Sequence, residues 1–156
     1  MGIKGRNHYW ASRERQGGWT LVEVSLTLAL AGVMTALALP AFAQLGDRLD
    51  RELFLGALAA DIRMAQREAV MREEETVVRL DRDGKSYTVL RGEQVIRRKE
   101  VPTRYRLESN YPGGRLVIRR TGQMRGGTLR LYEGKQMVGK AVIQVASGRV
   151  RVEVNP

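Results

Sequence analysis

The sequence predicts an α+β protein: a long N-terminal helix, transmembrane in its first half and amphipathic in its second, packed on a C-terminal antiparallel β-rich domain. Three observations carry this prediction. An uncharged run of twenty residues, 24–43, follows a basic N-terminal segment. Apolar residues at helical spacing then continue to about residue 74. Beyond Glu75 the apolar period changes to two, punctuated by glycine-bearing turns.

Residues 1–18 carry Lys4, Arg6, Arg13 and Arg15 against the single acid Glu14. Residues 19–43 contain one ionisable side chain, Glu23. At 1.5 Å per helical residue the uncharged run is about 30 Å long, the thickness of a bilayer's hydrocarbon core. Basic residues before a span hold the N-terminus in the cytoplasm and send the rest across. A secretory signal peptide is one reading of this pattern, with Ala41-Phe42-Ala43 as its cleavage site and a soluble β-domain as its product. The run exceeds the usual apolar core of such a peptide, however, and a glutamate stands at its entrance. An uncleaved membrane anchor is a second reading, and it leaves Glu23 without a partner for its charge.

Residues 44–74 read as an amphipathic continuation of the same helix. Leu45, Leu49, Leu53, Ala57, Ile62, Ala65 and Ala69 form an apolar stripe, widened by Phe54 and Leu58. Pro40 and Gly46 are its expected weak points, because proline removes a helical hydrogen bond. Glu73-Glu74-Glu75 closes the helix against its own dipole, which calls for a nearby arginine.

From residue 75 onward, eight runs alternate: TVVRLD, SYTVL, QVIRR, YRLES, RLVIRR, TLRLYE, AVIQVA and RVRVEV. Turn signals between them include Asp83-Gly84, Arg91-Gly92, Pro112-Gly113-Gly114, Gly126-Gly127 and Ser147-Gly148. An apolar face of these strands is expected to pack on the preceding helix.

Composition removes whole classes of chemistry. The chain has no cysteine, so disulfides, zinc thiolates and cysteine nucleophiles are excluded. His8 is its one histidine and leaves residues 19–156 without a base to activate a serine. Asp81-Arg82-Asp83-Gly84 is too short for a calcium loop, and no Walker-type glycine loop is present. No enzyme activity, cofactor or metal is therefore expected. The net charge of +10, from 27 Lys+Arg against 17 Asp+Glu, points toward phosphate, carboxylate or anionic-lipid partners.

The segment Gly18-Trp19-Thr20-Leu21-Val22-Glu23, followed by its apolar run, resembles the leader junction of type IV pilins and pseudopilins. The resemblance implies a leader peptide over 1–18, a transmembrane and filament-core helix over 19–43, and an extracytoplasmic domain over 44–156. That domain divides into the amphipathic helix 44–74 and the β-rich part 75–156. It also implies cleavage by a prepilin peptidase between Gly18 and Trp19 and methylation of the new N-terminus on Trp19. Trp19 stands where the family usually has phenylalanine, and Pro40 where it often carries a proline. Glu23 would pair with the N-terminal amine of a neighbouring subunit, relieving the desolvation of both and setting register. Ala29, Ala31, Gly32 and Ala36 suit close helix approach, although transmembrane helices carry such residues in any case. The expected location is the cytoplasmic (inner) membrane, single-pass with the C-terminal domain outside, and then a filament of pilin or pseudopilin subunits.

The later strands, with Gly122, Gly126-Gly127-Thr128 and Gly148-Arg149, resemble the GspH/FimT group of minor pilins. Membership implies a structural, assembly-initiating subunit of a type II secretion pseudopilus or of a type IV pilus. The FimT-like branch implies a second use, DNA binding in a DNA-uptake pilus through a C-terminal Gly-Arg-x-Arg. Gly148-Arg149-Val150-Arg151 matches that pattern. On a strand Arg149 and Arg151 share one face, about 7 Å apart, while Val150, Val152 and Val154 face the core. Arg119, Arg120 and Arg125 are candidates to extend the patch. Alternating Arg-Val is equally the signature of any half-exposed strand in an arginine-rich chain.

Overall fold

The computed structural model describes residues 19–145 and 148–155. Segment 1–18, with Gly18 and His8, lies outside the described residues, as does Ser147 of the last expected turn. The chain falls into two units, one ending at Ala41 and one comprising Phe42–Pro156. A single helix, α1 (Leu21–Arg72), enters both, and it continues through Pro40 without interruption.

In the second unit, eight strands follow the helix in the order of the eight alternating runs. They are β1 (Thr76–Leu80), β2 (Ser86–Arg91), β3 (Gln94–Glu100), β4 (Tyr105–Ser109), β5 (Arg115–Ile118), β6 (Gly127–Glu133), β7 (Gln136–Ile143) and β8 (Val150–Val154). They divide into two four-stranded sheets, ordered β3-β2-β1-β5 and β4-β6-β7-β8. All the pairings within them are antiparallel. The period-two pattern is visible in burial: Leu116 and Ile118 on β5 point inward while Arg115 and Val117 do not.

One core joins the helix to both sheets. Its helical wall is Leu55, Leu58, Ile62, Ala65 and Ala69, spaced alternately three and four apart, with Phe54 beside them. This corrects the expected stripe. Leu45, Leu49 and Leu53 are 52%, 48% and 71% exposed, and Leu55, which the expected stripe omits, is completely buried. Both stripes have helical spacing, so the one that packs is decided by where the sheets cover the helix. Contact with β7 is close: a Cβ on Gly139 would stand 2.7 Å from Leu55 Cδ1 and 3.1 Å from the Glu153 carbonyl oxygen. Burial of each large aliphatic side chain in this wall contributes about 1.5–3 kcal/mol.

Gly126-Gly127 does not form the expected turn, because Gly127 opens β6 and packs against the Tyr111 ring. Gly122 makes the turn instead, with φ of 78°.

The helix ends at Glu73, whose φ of 53° is left-handed, with the Glu74 N–H donating to the Ala69 carbonyl at 3.2 Å. This is the Schellman arrangement, in which glycine is the unstrained residue. Arg91 supplies the cation that the acidic helix end calls for, at 3.1 Å from Glu68 and 3.7 Å from Glu74. Glu73→Gly is expected to raise stability by about 1 kcal/mol. Chemical denaturation checks this, and an unchanged or lowered midpoint counts against the strain argument.

Candidate functional site

The start of α1 is capped by its own sequence. The Thr20 carbonyl accepts from the Val24 N–H at 3.1 Å, and the Thr20 hydroxyl oxygen accepts from the Glu23 N–H at 3.2 Å. Thr20 is therefore the N-cap, a role that sequence reading missed although Thr-x-x-Glu before an apolar run signals it. Glu23 lies in the first turn, where the helix dipole favours a negative charge.

Along the stretch that follows, side-chain hydroxyls are satisfied within the helix. Ser25 donates to Leu21 O at 2.8 Å, Thr27 to Val24 O at 2.9 Å and Thr35 to Ala31 O at 2.8 Å. Such internal satisfaction is what a lipid environment requires. The helix is long and apolar enough to cross a membrane, and its most apolar window is not buried anywhere in the chain's own structure. The leader cleavage bond falls at the edge of the described residues, since Gly18 lies outside them while Trp19 is exposed.

A second candidate lies at the turns of the β domain. Gln66 on α1 donates from Nε2 to the Gly122 carbonyl at 2.9 Å. A Cβ on Gly148 would stand 2.8 Å from the same Nε2 and 3.6 Å from Met124 Cε. The β5–β6 turn and the β7–β8 connection thus meet over one side chain. This brings Arg119 and Arg120 into the same region as Arg149, all three exposed. Arg119 and Arg125 also line a groove of about 580 Å³ with Val117, Gln123, Met124 and Val145. The alternation of Arg115, Val117 and Arg119 marks Val117 as outward, but nothing in the sequence says that Met124 and Val145 come beside it.

Strand β8 alternates as expected. Arg151 is exposed while Val150, Val152 and Val154 pack partly against the core; Arg149, expected on the same strand, is exposed but precedes it. The exposed face is not uniformly basic, however. Arg151 Nε stands 3.5 Å from Glu153 Oε1, and Lys140 Nζ lies 2.9 Å from the other oxygen. The Lys140 hydrogen bond holds the Glu153 carboxyl below the usual range. Among the described residues no cluster of three His, Asp or Glu side chains gathers that would hold a metal.

Arg125 is fixed through its backbone, whose carbonyl accepts from the Tyr111 hydroxyl at 2.9 Å. Burial pushes the Tyr111 phenol up to about 12. A raised value means stability that is present below the ordinary phenol pKa of about 10 and is lost as pH climbs through the folded value. Wild-type protein is therefore expected to lose stability between about pH 10 and 12 more steeply than Tyr111→Phe. Parallel slopes in denaturation curves across that window would remove Tyr111 as the cause.

A helix with a membrane-length apolar stretch, whose later turns wall the core of a small two-sheet antiparallel domain, is the architecture of type IV pilin-like minor subunits. The family described as type II transport protein GspH matches residues 56–156, and the chain belongs to that family. Among solved structures, the minor pseudopilin EpsH of the type II secretion system of Vibrio cholerae is similar, with a TM-score of 0.60 at 14% identity. That match covers 70% of this chain and 99% of the solved EpsH chain. The type IV minor pilin FimU of Pseudomonas aeruginosa strain PAO1 is similar with a TM-score of 0.53 at 14% identity, over 74% of this chain and 92% of the solved FimU chain. At these identities the likeness is one of fold. No curated protein matches the sequence.

Proposed function

We propose that this protein is a structural subunit, a minor pseudopilin or minor pilin, that enters a filament of a type II secretion system or type IV pilus through its N-terminal helix. The carrying observation is that the helix keeps its apolar residues exposed on every side, from Leu21 through Leu39 and on to Leu45 and Leu49. Burial of so much apolar surface calls first for lipid and then for the helices of other subunits. In this reading residues 1–18 are a leader removed by a prepilin peptidase, Trp19 becomes the methylated N-terminus, and the domain stands outside the cytoplasmic membrane. Initiating the filament is the role that suits a minor subunit. Intact mass and N-terminal sequence of the protein from its native membrane test this reading. A chain beginning at methylated Trp19 supports it, whereas a soluble chain beginning at Gln44 overturns it.

The meeting of two arginine-bearing turns over Gln66 favours a second, compatible reading, contact with DNA through Arg120, Arg149 and Arg151. Phosphate contacts of this kind weaken steeply with salt. Arg149→Glu with Arg151→Glu is expected to abolish salt-sensitive duplex binding by the full chain in micelles, and unchanged binding removes the DNA role.

A further inference from the structure

Strand β5 is one of the two edges of its sheet, opposite β3. It pairs β1 on one side, and on the other, among the described residues, the chain returns alongside it only at the Ile118–Met124 bridge and the hydrogen bond from the Arg119 N–H to the Gln123 carbonyl at 2.8 Å. Past Met124 the chain peels away, and Gly126 packs instead against Val145 and the Ile143 carbonyl. The groove of about 580 Å³ is the opening this leaves beside the strand. Its floor and walls are apolar at Met124, Val117 and Val145, the last of these 80% exposed.

The two charged residues that line the opening are both arginines. Arg115 precedes Val117 on the exposed side of β5, and Arg119 and Arg125 flank the groove. Arg115 also stands directly opposite Arg79 on β1, a like-charge cross-strand pair that works against the sheet. None of Arg79, Arg115, Arg119 and Arg125 has an ion-pair partner among the described residues.

We propose that this edge receives an extended segment of another protein, in which an aliphatic residue is flanked at alternate positions by carboxylates. An added strand presents alternate side chains to one face of the sheet. One carboxylate then meets Arg115, the aliphatic residue fills the space between Val117, Met124 and Val145, and the second carboxylate reaches Arg119 and Arg125. The apolar lining favours a polypeptide over a nucleic acid at this place. A second copy of the chain does not supply the pattern, since no two of its carboxylates are four residues apart. The occupant is therefore a different protein, and the inference holds whether or not the filament reading does.

The probe is the labelled peptide acetyl-Thr-Glu-Thr-Val-Thr-Glu-Thr-amide, titrated with the full chain in detergent micelles and read by fluorescence anisotropy. Binding is expected to saturate, to fall about tenfold or more with Arg119→Glu and Arg125→Glu together, and to return on that variant when lysine replaces only the glutamate that faces those two positions, the other glutamate still meeting Arg115. Circular dichroism establishes that the variant is folded. Should it not fold, Arg119→Gln with Arg125→Gln carries the same test. Equal binding by wild type and variant overturns the proposal, as does equal binding of a permuted peptide with adjacent glutamates. Binding of duplex DNA that needs Arg119 and Arg125, with no binding of the peptide, makes the groove a nucleic-acid site and overturns it too.

Discussion

Replacing Asp61 by alanine is expected to destabilise the domain by roughly 3 kcal/mol. Asp61 lies on the core side of α1, only 3% exposed, and both of its oxygens are engaged. The Tyr87 hydroxyl donates to Oδ2 at 2.7 Å, and Arg97 Nη1 donates to Oδ1 at 2.6 Å. Burial, and then the Asp61 hydrogen bond, drive the Tyr87 phenol far above its ordinary range, so it remains a donor. Removing the carboxylate strands that buried hydroxyl and leaves Arg97 without its anion. Arg97 is about half exposed and can turn to water, which keeps the expected loss at the lower end for a broken buried pair. Pairing Asp61→Ala with Tyr87→Phe in a double-mutant cycle should show coupling of about 1 kcal/mol or more. A single-mutant loss within about 0.5 kcal/mol of zero, a typical surface effect, would mean that this triad does not join helix to sheet.

Glu23→Gln is expected to lower incorporation into filaments by about tenfold, the equivalent of roughly 1.4 kcal/mol, with the membrane pool unchanged. The carboxylate has two candidate tasks, and the structure separates their variants. Locally, a negative charge in the first turn favours the helix dipole and supports the cap at Thr20. Between subunits, it would meet the amine of Trp19 on a neighbour. Thr20→Val removes the cap, at a cost of about 1 kcal/mol to the helix start, but leaves the charge in place. Comparing sheared filaments with membranes by quantitative immunoblot distinguishes the two tasks. If Thr20→Val and Glu23→Gln reduce incorporation alike, Glu23 is a helix-start residue and its pairing across subunits is wrong.

Much of the fold was legible because each element announced its own period. The eight β runs were visible as alternation, and the acidic helix end correctly called for an arginine, which Arg91 provides. What stayed hidden depends on long-range contact. Turn signals mark where strands stop, but nothing in TVVRL says that β1 pairs with β5 across the intervening strands. Leu49 and Leu58 have the same local character, and only the extent of the sheets leaves one in solvent and the other in the core. At the candidate site, the exposure of Arg151 was legible from strand alternation, whereas Arg149 lies just before β8 and is exposed without being part of it. The acid beside Arg151 was equally readable, since Glu153 follows two positions later on the same face. The groove beside β5 was not, because it exists only where the returning chain leaves its neighbour after Met124.

The helical wall of the core has a mechanical consequence. Between Phe54 and Ala69 the helix is part of the domain's interior, not a stalk attached to it. A pull along its axis therefore finds no slack loop to straighten and no hairpin to unzip one bond at a time. It meets Leu55, Leu58, Ile62, Ala65 and Ala69 together, in shear against side chains packed as densely as a crystal. Tension reaching this domain through its helix is shared by many contacts at once, the geometry in which a small core resists force best.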